Sequence, residues 1–524
     1  MKKLFLLFTV AASLYACNQQ KGTQETQPAS SRITSVQEYS EPVFADSAAV
    51  DRLKQFFPVI DKVYKDYAEK NHFPSIAYGV VVGDRLIYSN ATGIANIKDN
   101  SAATTKSLYR IASMSKSFTA MSILKLRDEG KLNLGDPVSK YIPEFAGSGS
   151  VTGDAPPITI LNLLTMSAGF PEDNPWGDRQ LADADEDLLD HVRNGISFSN
   201  APGLTYEYSN MGFALLGKII SNVSGMPYQK YITDNIMKPI GMNDSRWEYT
   251  EIPTEVFAPG YRWEDNTWKE EPVLHDGAYG AMGGLICSIE DFGKYMSLHL
   301  SAWPPRNGAD NGPVRRSSIR EMHQPWRVSG VFANARTRMG QACPVAAGYG
   351  YGLGWRQDCN GTVRVAHSGG LPGYGSEWRI YPEYNMGVVS FSNFTYGAPG
   401  LPNAIALDTL IQLAGVKKRE LPPSKILLQR KDEIMALIPD WTNAESKNIF
   451  AENFWLDSDI DHRRADTKAV FNSAGKVIRV SNLKPENQLR GTFMIECEKG
   501  NVGVFFTLTP EASATIQQLD IELE

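Results

Sequence analysis

The chain has no basic run. Its 52 Lys and Arg are outnumbered by 59 Asp and Glu, for a net charge of −7, whereas a nucleic-acid binder concentrates positive charge on one face. No nucleic-acid partner is expected. No apolar run reaches the roughly 20 residues needed to cross a bilayer. Cysteine is scarce, 5 in 524 residues, and no Cys/His cluster has metal-ligand spacing, so neither a metal nor another cofactor is expected. Internal repeats and low-complexity tracts are missing too. What is there is ordinary globular material, 42% hydrophobic, enough for a large core and two domains.

The N-terminus reads as a targeting segment over 1–17. Lys2 and Lys3 precede an apolar run at 4–14, and Leu14-Tyr15-Ala16-Cys17 follows directly. This resembles a bacterial lipoprotein signal with Cys17 as the lipidated first residue of the mature protein. Tyr15 replaces the small residue usual there, so ordinary cleavage after Ala16 is the alternative. Residues 18–44 are polar and unpatterned, a tether. The expected location is the periplasm or cell envelope, with membrane contact only through a lipid on Cys17. Cys287, Cys343, Cys359 and Cys497 remain. In an oxidising compartment a Cys343–Cys359 bridge would close the Gly- and Tyr-rich segment 348–355; unpaired small hydrophobes are an equally good reading.

Along the chain, residues 46–70 read as a helix with Leu53, Phe56, Phe57, Ile60 and Tyr64 on one side. Runs at 75–82 and 85–90 read as hairpin strands joined at Gly83-Asp84. Residues 117–129 carry Phe118, Met121, Ile123 and Leu124 as an apolar helical stripe, ended by Gly130. A short apolar turn at 161–170, a weak helix at 185–194, helices at 213–223 and 228–237, and a turn plus helix at 283–300 follow. The Trp-, Pro- and charge-rich stretch 250–275 could wall a pocket. Residues 301–339 look irregular apart from a helical piece at 318–322. Strand-like runs at 363–367, 376–381 and 387–392 and a helix at 404–413 complete an α/β (α+β) domain over 45–418, whose antiparallel sheet draws strands from both chain ends. Pro422-Pro423 marks a boundary. Beyond it, 425–524 reads as a small α+β module with a helix at 431–438 and strands at 449–453, 467–471, 477–481, 490–497 and 503–509, without a catalytic pattern.

Chemistry is carried by Ser113 and Lys116. Three residues apart at a helix start, they share a face. A serine hydroxyl needs a base to take its proton, and a buried lysine can be neutral enough to do so. The helix start adds N–H groups and partial positive charge for an oxyanion. Ser-x-x-Lys alone is common, and Ser122…Lys125 and Ser473…Lys476 match it as well. Such a site also needs a second proton shuttle, a group to hold the substrate amide, and a strand edge. Tyr208-Ser209-Asn210 offers the first two, since a phenol near a lysine can have its pKa lowered and Asn both donates and accepts. His367-Ser368-Gly369-Gly370 offers the third, its glycines permitting close backbone approach. Tyr88-Ser89-Asn90 and His275-Asp276-Gly277 mimic these motifs. The order Ser113, Tyr208, His367 decides between them.

That order resembles the penicillin-binding-protein-like serine hydrolases related to class C β-lactamases, DD-peptidases, D-aminopeptidases and esterases: Ser-x-x-Lys, then Tyr-x-Asn, then Lys/His-x-Gly. Stretches at 130–137 and 163–169, Pro202-Gly203, Leu216-Gly217 and Gly283-Gly284-Leu285 support the likeness, which spans about 45–415. The resemblance implies a β-lactamase/transpeptidase-like fold, an antiparallel sheet flanked by helices. It implies Ser113 as nucleophile, Lys116 with Tyr208 as the base/acid pair, and Asn210 on the substrate's acyl-side amide. His367, Ser368, Gly369 and Gly370 would form the substrate-binding strand edge, with the N–H groups of Ser113 and Gly370 as the oxyanion hole. The implied function is an extracytoplasmic serine hydrolase acting through a Ser113 acyl-enzyme on a small-molecule or peptide substrate: an amide, peptide or ester. A class C-type β-lactamase and a non-catalytic peptidoglycan- or β-lactam-binding protein are the competing readings. Met166 stands where many relatives have His, and His367 where β-lactamases usually carry Lys.

Overall fold

The computed structural model describes residues 38–44, 48–147, 149–337 and 340–524. The expected signal segment, Cys17 and the tether as far as residue 37 lie outside them. The described chain divides into two units, Ser40–Pro422 and Pro423–Glu524, residues 38 and 39 being grouped with the second. Val43 exchanges backbone hydrogen bonds of 2.9 and 2.8 Å with Glu420, so the last stretch of the expected tether is tied into the larger unit.

The larger unit is organised on a nine-stranded antiparallel sheet. Its strands are β1 (Ser75–Val82), β2 (Arg85–Asn96), β3 (Ser101–Ala102), β4 (Arg327–Phe332), β5 (Val345–Tyr349), β6 (Gly354–Gln357), β7 (Val363–Leu371), β8 (Tyr374–Tyr381) and β9 (Met386–Ser392). Their spatial order is β3-β2-β1-β9-β8-β7-β6-β5-β4. The pairing of β1 with β9, with Ile76 opposite Ser392 and Val82 opposite Met386, joins the two ends of the unit.

Alternation along β1 explains the layering. Ile76, Tyr78 and Val80 face helices α1 (Phe57–Lys70) and α5 (Gly400–Ala414). Ala77 and Val81 face a larger core shared with α2 (Ser115–Asp128), α3 (Asn210–Ser224) and α4 (Ile289–Ser301). Two expectations for the helices change. The helix expected over 46–70 is a short helix at Ala49–Leu53, a 3₁₀ turn at Lys54–Phe56, then α1; Pro58 near its start lacks an N–H and clashes with the preceding turn. The single stripe expected on α2 is instead burial all round, from Ser115 to Leu124, because α2 is packed between α3 and α4, with Phe118 stacked on Tyr295. Its polar residues are served by carbonyls: Ser117 donates to Met114 O (2.9 Å) and Thr119 to Ala281 O (2.7 Å).

The stretch 301–339 is less irregular than expected, since β4 crosses it. Val328 and Val331 on β4 are 65% and 72% exposed. An edge strand with both faces wet carries no alternation to read. Cys343 and Cys359 are bridged, closing the β5–β6 hairpin at its open end, so the unpaired reading of this pair is overturned. Cys287 and Cys497 are free and buried.

The smaller unit packs α6 (Lys425–Leu437) and α7 (Ile460–Ala474) on a five-stranded antiparallel sheet: β10 (Val477–Val480), β11 (Lys484–Asn487), β12 (Arg490–Cys497), β13 (Gly500–Leu508) and β14 (Ile516–Leu523). Two expected strands are absent there. Residues 467–471 lie inside α7, which starts where the Asp459 carboxylate accepts from the N–H groups of Asp461 and His462, a helix cap that outweighs the short β-branched run. Residues 449–453 make one isolated bridge at Phe450 and then enter the helix Glu452–Asp457.

Candidate active site

The turn that carries Ser113 is held from three sides. Tyr109–Arg110 pairs with Ile286–Cys287, and Ile111 N donates to Leu285 O at 3.0 Å. Ser376 Oγ on β8 donates to Ile111 O at 2.7 Å. Gly369 on β7 approaches the same oxygen so closely that an added Cβ would stand 2.3 Å from it. Ala112 then adopts φ +51°, a left-handed conformation that costs a non-glycine residue about 1 kcal/mol. Strain of this kind, over-determined by its surroundings, is typical beside a reactive group. Ser113 follows on the 3₁₀ turn Ala112–Met114, which runs straight into α2. Ser115 clips the junction, its Oγ donating to Ala112 O (2.7 Å) and accepting from Leu285 N (3.1 Å).

Lys116 is fully buried one helical turn on. Its Nζ lies 2.9 Å from Ser113 Oγ, 2.7 Å from Asn210 Oδ1 and 2.9 Å from Met282 O. Two of these partners, the amide oxygen and the carbonyl, can only accept. A neutral amine therefore commits both N–H groups to them and turns its lone pair toward the serine. Burial brings the amine from its usual range to about 7, partly offset by the carboxylates of Asp178 and Asp173.

Tyr208 brings its ring within 4.9 Å of that amine and its hydroxyl to Ser113. Here the structure corrects the sequence reading. The phenol pKa is raised well above its ordinary value, because burial outweighs the hydrogen bond with Ser113. Tyr208 holds its proton at neutral pH. Asn210 opens α3, with Ser209 as the cap accepting from Gly212 N at 3.2 Å. Asp173 seals the same end, accepting from Asn210 N (2.6 Å) and Met211 N (2.9 Å). Asn210 is fully buried, its amide spent on Lys116 and on Asn174 Oδ1 (3.1 Å).

His367, on β7, is neutral. Its Nδ1–H donates to Ser368 O at 2.5 Å, which leaves Nε2 to accept from Tyr349 OH at 3.0 Å. Burial, reinforced by the nearby Lys116, lowers its pKa to about 3. Ser113, Tyr208, His367, Ser368 and Gly370 open into one cavity of about 670 Å³, alongside Asn174, Asp178 and Tyr349. Lys116, Asn210 and Gly369 stand behind that wall. Sequence reading missed Met282 O, Tyr349, Asp173 and Asp178. A backbone acceptor has no residue signature, and the other three sit in no spacing pattern.

The mimics go elsewhere. Ser122 Oγ is buried in α2 without a hydrogen-bond partner, Tyr88 OH donates to Asp61, and His275 contacts Glu248. Ser473 donates to Ala469 O on the surface of α7. Among the described residues, none from 250–275 lines the cavity.

Residues 60–413 match the family described as Beta-lactamase. The chain is 30% identical to Protein flp of Staphylococcus aureus (strain N315) over 341 residues, 64% of this chain and 62% of that protein, so it spans less than two thirds of the relative's length. In structure it is similar to the octameric penicillin-binding protein homologue from Pyrococcus abyssi (TM-score 0.56, 21% identity, 89% and 98% of the two chains). It is also similar to a D-stereospecific amidohydrolase from Streptomyces (TM-score 0.51, 21% identity, 67% and 97%). Both likenesses concern the fold.

Proposed function

From the premise that the chain belongs to the β-lactamase family, we propose that it is an exported serine hydrolase that opens an amide, peptide or ester through an acyl-enzyme on Ser113. The observation that carries this reading is the Lys116 amine, near neutrality and with one free direction, the one that meets Ser113 Oγ. Lys116 takes the hydroxyl proton as Oγ attacks the carbonyl carbon. The N–H groups of Ser113 and Gly370 receive the oxyanion. Collapse expels the leaving group, which takes a proton from the lysine ammonium directly or by way of the Tyr208 hydroxyl. Water then repeats the sequence on the acyl-enzyme, and Ser113 is restored.

The substrate side follows from His367. With its charge suppressed and Nε2 engaged by Tyr349, it offers no cation to the carboxylate of a β-lactam. Turnover of a p-nitrophenyl ester or of short D-amino-acid peptides is expected to exceed that of nitrocefin clearly. Intact mass after exposure to a fluorophosphonate, and separately to penicillin, tests the whole reading. A fluorophosphonate adduct on Ser113 is expected. Efficient nitrocefin turnover would move the protein to the β-lactamases, and no adduct with no turnover would make it a binding protein.

The N-terminal pattern and the Cys343–Cys359 bridge both support an oxidising, extracytoplasmic location. Anchoring through Cys17 is the matching proposal. Cys17→Ser should move the protein from the membrane fraction to the soluble one, and a wild-type protein already soluble and unlipidated after export would replace anchoring with plain secretion.

A further inference from the structure

The cavity at Ser113 continues away from the nucleophile along the α5-facing side of β7. Arg356 on β6 stands directly opposite Arg364 on β7, and Ser368 opposite Glu377. Both arginines line the cavity. Between them and Ser368, β6 and β7 carry only Gly354 and Ala366 on this side, a cross-strand pair of small residues that leaves an open trough, with Arg379 on β8 opposite Ala366. Arg364 and Ser368 are four strand residues apart, roughly 13 Å.

Like charges in cross-strand register repel, and among the described residues no acid is bonded to either guanidinium. Glu377 is the acid at this end of the trough, and its carboxylate is taken by Arg379 (2.6 and 2.8 Å) and Asn403. Among the described residues, neither Arg356 nor Arg364 forms a hydrogen bond or ion pair with an acid. Arg356 rests on the Phe332 ring at 5.4 Å, which aims the guanidinium without discharging it. Arg364 Nε is buried and without a partner. Burial, with Arg379 and Arg356 nearby, lowers Arg364 to about 10, and Glu377 offsets this only in part, so the pair is poorly accommodated as it stands. The uncapped N-terminus of α5, at Gly400, adds positive potential on the same wall. All this sits in a chain of net charge −7.

We propose that Arg356 and Arg364 form a subsite for an anionic group, a carboxylate, at the far end of the substrate whose carbonyl meets Ser113. Planar guanidiniums match a carboxylate through paired N–H donors, and an anion between them turns the repulsion into attraction. The substrate class is thus an acyl compound carrying an acid well removed from the bond that is cleaved. The placement of its other end rests on the hydrolase reading above.

Two ester series test it. The mono-p-nitrophenyl esters of adipic, suberic and sebacic acids carry the acid on the acyl side, and acetyl esters of ω-carboxyalkyl phenols carry it on the leaving-group side. Each is compared with its methyl-capped form. In one series kcat/KM for the free acid is expected to exceed that of the capped ester by roughly ten- to a hundredfold at low salt, and the ratio is expected to collapse toward one in Arg364→Ala and in Arg356→Ala. No acid preference in either series, or a preference that survives both substitutions, overturns the subsite. Calorimetric titration of the Ser113→Ala protein with sebacic acid monoanilide separates the two readings. Arginine-dependent binding without any wild-type ester turnover would keep the anion site and discard the hydrolase. Turnover of capped esters with neither acid preference nor monoanilide binding would do the reverse.

Discussion

Ser113→Ala is expected to end both turnover and covalent labelling while the protein stays folded. Losing a serine nucleophile that works as a unit with its base costs on the order of 10⁶ in kcat. The fold should survive because, among the described residues, Ser113 Oγ bonds only Lys116 and Tyr208, while the turn itself is held by Ile111, Ser115, Ser376 and the close approach of Gly369. Circular dichroism and fluorophosphonate labelling together check it. Adducts persisting in the variant, or mapping to Ser122, would refute the assignment.

The second large effect belongs to Lys116. Below about pH 7 its amine is an ammonium that donates to all three neighbours and has no lone pair for the serine. Activity should therefore fall as pH drops through 7 and level off above it. The phenol of Tyr208 is raised, so it adds no alkaline limb up to pH 10 or so; His367, lowered to about 3, adds no limb near neutrality. Asp178 is the other group that titrates nearby, pushed up to about 6 by burial. Lys116→Arg should lose roughly 10² to 10⁴ in kcat/KM and the limb with it, because a guanidinium keeps its proton throughout. A limb centred near 6 that survives in Lys116→Arg would assign the titration to Asp178 instead.

Much of the site was legible because acyl-transfer chemistry needs particular residue types at short spacings, and helix and strand periods turn those spacings into shared faces. Ser113, Lys116, Tyr208, Asn210 and His367 do converge in space. What escaped is what depends on the third dimension. The direction of the Tyr208 shift is decided by burial, which outweighs any neighbour that sequence spacing reveals. Asn210 was expected to face substrate; it faces Lys116, because the start of α3 is turned inward under Asp173. In the fold, long apolar elements such as β1, β9 and α3 were readable, whereas β4, wet on both faces, was not. Residues 467–471 read as a strand because Thr467, Val470 and Phe471 look alike in a strand and on one side of a helix, and only the cap at Asp459 distinguishes them.

The pairing of β1 with β9 governs the order in which this chain can fold. Residue 76 pairs with residue 92 in the local hairpin, but its partner on the other side is residue 392, so the centre of the sheet cannot close until nearly the whole unit has been synthesised. Contacts of such long sequence separation slow folding, because the loop entropy must be overcome before any pairing rewards it. For a chain threaded unfolded across a membrane, as proposed here, the delay is useful. The N-terminal hairpin of β1 and β2 leaves the ribosome without its β9 partner, and the sheet locks only when its last strand has arrived on the same side.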